Sequence, residues 1–536
     1  MVPGSSSRLG RLARAGAGLL LSAWLALGVT PAGATTLRVA NQGDATSMDP
    51  HALNESMQLS FMGNVYEPLV ARDRQLALVP ALATSWKAVS PTVWRFELRP
   101  GVQFHDGSRM TADDVVFSLR RAAGEGSDMR SYVSAIREVR RAGDLAVEIE
   151  TVAPWPILPD VLSLVYIMNR AWCEQNRATM PVDRRRGIEN VASFKANGTG
   201  PYRLRERQPG VRTVLARHPA YWGRVDGNVD EVVFTPIAHD ATRVAALLSG
   251  EIDVMEPVPL QDVPRLGAHP DLRVMQAPEL RTLFLGMDQR RDELLHGSVK
   301  GRNPFKDRRV RQALYQAIDI EAIRARVMRG AATPAALPVG PGIRAFPTEL
   351  NRRLPHDPEA ARRLLAEAGY PAGFEVTMHC PNDRYVNDVE ICQAVASQFA
   401  KVGVKVQLQA EPKATYFPRI LSRQTSLYLF GWASGTYDAH HPLHALIASP
   451  NDRGQGQFNL GGYSNPRIDE LNARIPSETD PARRQAMIAE AYRLHAEDIG
   501  HLPLHQQALS WGMRRTVTLV QRPDNFMDFK WMAVGR

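Results

Sequence analysis

The sequence predicts an α/β fold of more than one domain, with a small α+β subdomain near its N-terminal end. Three observations carry this. The chain has 536 residues, too many for one compact core. Residues 374–379, 389–402 and 404–408 read as strand, helix and strand, which implies a parallel pair with a right-handed crossover. Residues 64–122 read instead as strand, turn, strand, turn, helix.

Taken in order, residues 36–40 form a first strand and 41–50 a turn-rich loop. Val93, Arg95, Glu97 and Arg99 alternate with Trp94, Phe96 and Leu98, the period of a half-buried strand, which Pro100-Gly101 ends. His105-Asp106-Gly107 makes a tight turn. Thr111 stands at the N-cap of a helix with Asp113 and Asp114 in its first turn, and Val115, Val116 and Leu119 form its buried face. Residues 145–151 alternate again. Asn197-Gly198-Thr199-Gly200-Pro201-Tyr202 is a glycine-rich turn without the Lys-Ser/Thr of a phosphate loop. Residues 242–249 form an amphipathic helix stopped by Gly250. A second lobe begins near Leu280. Val310, Ala313, Leu314 and Ala317 mark one buried helix face, and Gly369-Tyr370-Pro371 stops the helix that starts at Pro358. Residues 427–430 are a buried strand leading into Gly431-Trp432, and the C-terminal strand is expected to return to the first lobe.

Apolar residues make up 44% of the chain and charged residues 23%, ordinary for a globular protein. The net charge is +9, but Arg8, Arg11 and Arg14 belong to a leader and the other positives are dispersed. No Lys/Arg block with interleaved aromatics argues for nucleic acid. The basicity is that of a solvated Arg-rich surface or of a chain that favours anionic partners. The leader has its positive segment at residues 8–14, an apolar run at 15–29 and a small-x-small site at Ala32-Gly33-Ala34, so the mature chain is expected to begin at Thr35. The run is shorter than the ~20 residues of a membrane span. Three cysteines remain: Cys173, Cys380 and Cys392. In an oxidising compartment an odd count allows one pair at most. Cys380 and Cys392, on a strand end and the next helix, are the candidates, and three buried inert thiols are the alternative.

Several segments share one pattern. Tyr66-Glu67-Pro68-Leu69-Val70, Phe104-His105-Asp106-Gly107, Gly198-Thr199-Gly200-Pro201-Tyr202, Tyr221-Trp222-Gly223, Pro304-Phe305 with Arg309-Val310-Arg311-Gln312-Ala313-Leu314, and Leu502-Pro503-Leu504 stand in order along the mature chain. Together they closely resemble the family 5 extracellular solute-binding proteins, the oligopeptide, dipeptide and nickel receptors of ABC importers. The resemblance implies a two-lobed periplasmic-binding-protein fold of type II, cluster C-like, with an extra α+β subdomain. It places lobe I in residues 35–66, 198–278 and 502–536, the subdomain in 67–197 and lobe II in 279–501, after a signal peptide at 1–34. Lipid-anchored members carry a cysteine just after the leader, and none stands there. An exported, periplasmic monomer without a lipid anchor is therefore expected, without cofactor, whose partners are a small solute and an inner-membrane permease with its ATPase.

Two loops carry the site residues that the resemblance implies. Arg384-Tyr385 lies between a strand end and a helix start, where the cleft of an open α/β sheet gathers its ligands. The dipeptide receptor has an arginine here that holds the peptide carboxylate, and a guanidinium suits that task; otherwise Arg384 is a solvated loop residue. The second loop runs from Trp432 to His444. Peptide receptors place an Asp three residues after this Trp to hold the ligand's ammonium, but here Gly435 stands there. Either Asp438 replaces it, beside Tyr437 and His440, or the ligand lacks a free α-amine. The same loop resembles the nickel receptor's Tyr-Asp-Pro-His, which makes His440, with His441 and His444, a candidate metal site; a polar loop with Asp438 capping the next helix is the alternative. Met48 and Trp155 are further pocket-lining candidates or packing residues. No GxSxG, HExxH or paired-carboxylate motif supports an enzyme, and a secreted hydrolase is the alternative of another class.

Overall fold

The structure is a computed structural model that describes residues 34–478 and 480–535. The expected leader, apart from its last residue, lies outside the described residues.

One mixed sheet runs through the molecule. At one end stand Tyr202–Gln208, Arg212–Arg217, Glu231–Pro236, Thr36–Asn41 and Val254–Glu256, in that order. At the other end stand Leu427–Trp432, Phe374–Pro381 and Val404–Glu411. Two long antiparallel strands, Leu272–Met287 and Leu502–Arg514, join the ends. Their register shifts between Pro278 and Thr282, where a proline cannot donate to the ladder. The two ends are the cores of two lobes.

In lobe I, Thr36–Asn41 pairs in parallel with Glu231–Pro236 and with Val254–Glu256. Helix Asp240–Ser249 lays Val244 and Leu247 against Met255 and Val258. Gly250 ends it at φ 79°, a left-handed turn that a side chain would strain. In lobe II the expected β-α-β unit is present: Phe374 through Pro381 pair in parallel with Val404 through Glu411, and helix Asp388–Ala400 is the crossover. Helix Arg308–Ala317 buries the predicted Val310, Ala313, Leu314 and Ala317.

The subdomain is a four-stranded antiparallel sheet ordered Ala83–Ser90, Val93–Leu98, Ala146–Thr151, Ile136–Arg141, covered by helix Ala112–Ala123. The helix starts as expected, with Thr111 at the N-cap and Asp113 and Asp114 in the first turn. Asp114 accepts the backbone N–H of Thr111 at 2.8 Å, and the Thr111 hydroxyl donates to the same carboxylate. The acid closes a capping box. The glycine-rich turn is structural: a Cβ on Gly198 would stand 2.0 Å from the Val65 carbonyl oxygen.

Cys380 and Cys392 form a disulfide that ties the end of strand Phe374–Pro381 to the following helix. Cys173 is a buried free thiol, pushed up to about 12 by burial. Among the described residues no helix is long and apolar enough to cross a membrane.

Candidate functional site

The loop after strand Phe374–Pro381 faces lobe I. Its shape is set by Asp388, whose carboxylate accepts the backbone N–H groups of Arg384 at 2.9 Å and Tyr385 at 3.0 Å. Burial pushes Asp388 up to about 7 in spite of these bonds. The Tyr385 hydroxyl accepts the N–H of Gly431 at 2.9 Å, which joins the loop to strand Leu427–Trp432. Arg384 is thus held from both sides.

Its guanidinium crosses to lobe I. Nη2 lies 2.7 Å from Oε1 of Glu55, and Lys413 Nζ lies 3.9 Å from the other oxygen. Glu55 is the N-cap of helix Ser56–Met62 and accepts from the N–H groups of Met57 and Gln58. Burial alone would raise its carboxyl; Arg384, Lys413, the Gln58 N–H and Arg281 bring it down to about 2. Arg281, on the strand joining the lobes, bonds Glu279 at 3.0 Å and the Ser56 hydroxyl at 2.7 Å. The Nε–H of Arg384 is buried without an acceptor. A cavity of about 20 Å³ borders Arg384, with Asn41, Glu256, Asp383, Lys413 and Asn525 in its wall. Another of about 30 Å³ lies between Glu55, Arg281, Tyr385 and Trp432. These are spaces of water size, so a solute enters only when the lobes part.

The loop from Trp432 to His444 behaves differently. Asp438 is fully buried, and Arg484 holds both of its oxygens at 2.8 Å. One oxygen also caps His440 N–H. The expectation of Asp438 as a displaced amine anchor therefore meets a carboxylate already neutralised within lobe II. Gly435 lies under the subdomain, and a Cβ there would stand 2.0 Å from Leu164 Cδ1. Tyr437, at φ 55°, carries the Arg72 guanidinium 4.4 Å above its ring.

The three histidines do not converge on a metal. His441 is packed between Tyr132 and Trp432, with ring centroids 4.4 and 5.9 Å away. His440 Nε2 faces the Asn472 carbonyl at 3.3 Å. His444 Nδ1 accepts from Asn472 Nδ2, which leaves its Nε2–H for the Ser134 hydroxyl. Burial holds all three below the usual imidazole range. Among the described residues no group of three His, Cys, Asp or Glu side chains has a metal-holding arrangement.

Met48 is fully buried in the core shared by lobe I and the subdomain and lines neither cavity. Trp155 joins the same core. Sequence reasoning missed Glu55, Glu256, Arg281 and Lys413, which come from four distant segments. Glu256 carried one usable signal: it ends a strand at the cleft edge of the sheet.

The sequence model described as "Bacterial extracellular solute-binding proteins, family 5 Middle" matches residues 77–454. The chain belongs to this family. It is a solute-binding protein, and the resemblance in its motifs holds at family level. The glutathione-binding protein GsiB of Pectobacterium atrosepticum is 28% identical over 457 residues, covering 83% of this chain and 84% of the relative. The Helicobacter pylori periplasmic binding protein DppA, solved with the peptide STSA, superposes with a TM-score of 0.83 at 22% identity, over 94% of this chain and 98% of that one. A dipeptide-binding protein from Pseudoalteromonas sp. SM9913, solved with Met-Leu, gives 0.81 at 22% identity, over 93% and 100%. These likenesses identify the architecture as the two-lobed fold of periplasmic binding proteins.

Proposed function

We propose that this protein captures a peptide-type or other carboxylated small solute in the periplasm and presents it to an inner-membrane ABC permease and its ATPase. The observation that carries the reading is Arg384: a guanidinium on the cleft loop of lobe II, its side chain 8% exposed, with a donor that no protein group accepts. A bidentate carboxylate satisfies such a fork. The names of the relatives point the same way, since glutathione, STSA and Met-Leu all carry carboxylates. Residues 67–197 act here as an insertion in lobe I, 279–501 as lobe II, and 502–536 as the return to lobe I. The protein performs no chemistry on its solute. Ligand bridging the lobes favours the closed form by its differential affinity for it.

Native mass spectrometry of protein purified from its own periplasm tests this. The expected result is a bound carboxylated organic solute, released unaltered. A metal adduct without organic ligand, or a chemically changed product, overturns the reading.

A further inference from the structure

Glu256 sits at the cleft end of strand Val254–Glu256 in lobe I and is 8% exposed. Its carboxylate accepts from Asn41 Nδ2 at 3.2 Å and Asn525 Nδ2 at 2.5 Å. Both partners are neutral amides. Two neighbouring acids differ: Glu55 has Arg384 and Lys413, and Glu279 has Arg281; a third, Asp383 of lobe II, accepts the Lys413 backbone N–H. Among the described residues no cation stands within ion-pair distance of Glu256. Burial pushes its carboxyl up to about 7, with Glu279 adding to the rise and Asn525, Arg384 and Asn41 opposing it. A carboxylate kept from water and from any cation is costly unless a cation arrives. Glu256 and Arg384 line the same cavity from opposite lobes. One lacks a cation, and the other has an N–H that lacks an acceptor.

We propose that Glu256 is the acceptor for a ligand ammonium or guanidinium group, so that the solute is dipolar, its cation held by lobe I and its carboxylate by Arg384 of lobe II. This rests on the carboxylate-binding reading above and extends it. It supplies the anchor that Gly435 cannot provide and that Asp438 already spends on Arg484. It also explains how binding drives closure. A solute with opposite charges at its two ends satisfies both groups only when the lobes are together, and each open lobe offers half the contacts.

The test is calorimetric titration of the wild-type protein and of Glu256→Gln with glutathione and L-Ala-L-Ala, each also as its N-acetyl form. Acetylation removes the ammonium and keeps the carboxylate. The expected result is that Glu256→Gln weakens the free-amine ligands at least ~30-fold, the loss typical when one partner of a buried charge pair is removed, and the acetylated ones less than ~3-fold. A circular dichroism melt of the variant verifies that it folds, and Asn41→Ala, which spares the charge, is expected to weaken the free-amine ligands less. Equal losses for free and acetylated ligands, or none for either, overturn the assignment. Wild-type binding of acetylated ligands alone overturns it while leaving the carboxylate reading intact. Failure of all four ligands to bind the wild type overturns the peptide-type reading together with this one.

Discussion

Two loops of lobe II leave the sheet at the carboxyl ends of parallel neighbours, strands Phe374–Pro381 and Leu427–Trp432, and both are rich in ionisable side chains. They differ in what their charges face. In the Trp432–His444 loop Asp438 is paired with Arg484, His444 bonds Asn472 and Ser134, and His441 stacks between two aromatic rings with neither ring nitrogen hydrogen-bonded. In the Arg384 loop the guanidinium is paired with Glu55, but among the described residues the Glu256 carboxylate across the same cavity has no cation. A charged residue in a cleft loop is therefore a weak sign of binding until its partners are counted. The first loop is an internal joint between lobe II and the subdomain, and the second borders a cavity that holds an unpaired carboxylate.

The sharpest way to break this contrast is Asp438→Asn. It strands a buried Arg484, and loss of one partner of a buried pair costs ~3–5 kcal/mol. Denaturant unfolding is expected to show that loss, with solute affinity unchanged in the protein that remains folded. Weakened binding at unchanged stability would move Asp438 into the site.

Arg384→Ala is the converse. Its expected effect is ~1.5–3 kcal/mol of affinity for a carboxylated solute, the worth of hydrogen bonds to a charged group, read by calorimetry. Unchanged affinity would make Arg384 merely the partner of Glu55.

Acid sharpens the comparison further. Burial holds His440 at about 4 and His444 at about 3, below the free value of 6.5. The unfolded chain therefore takes up protons first. Stability is complete above pH 6.5 and falls as the pH drops towards those values, by ~2 kcal/mol per histidine at pH 5. Thermal melts from pH 7 to 5 are expected to show the slope, and His440→Asn with His444→Gln to lessen it, the remainder coming from other buried histidines such as His51, His501 and His505. A wild type with constant stability over that range would mean the imidazoles are hydrated.

The smallest expected effect is that of Gly435→Ala. Its methyl meets a movable Leu164 side chain, so the cost is ~1 kcal/mol, at the low end for overpacking. Small-angle scattering is expected to show a larger open fraction, because the contact joins the subdomain to lobe II. An unaltered profile would mean that Leu164 simply turns aside.

Much of this fold was legible in the sequence because its cues are local. The alternation at Val93–Leu98, the stop at Gly369 and the β-α-β order around residue 390 depend on neighbours in the chain. The place of Arg384 in the loop after Phe374–Pro381 was legible for the same reason. Glu55, Glu256 and Lys413 were not, since only the closing of two lobes brings them to one place. Asp438 misled because its partner lies on a helix 46 residues further on. No spacing within the loop announces Arg484.

The strands that join the lobes also bear on how the chain leaves the cell interior. Leu502–Arg514 is the neighbour of Val254–Glu256, so lobe I is finished by a strand that follows all of lobe II in the chain. A chain threaded out with its N-terminus leading presents the edge of Val254–Glu256 uncovered until residues 502–514 arrive. Exposed strand edges invite pairing with other chains. Lobe II, contiguous between the two joining strands, takes only the first residues of strand Leu502–Arg514, Leu502 and Leu504, into its core. The half of the protein secreted first thus waits on a strand that lies beyond the other half.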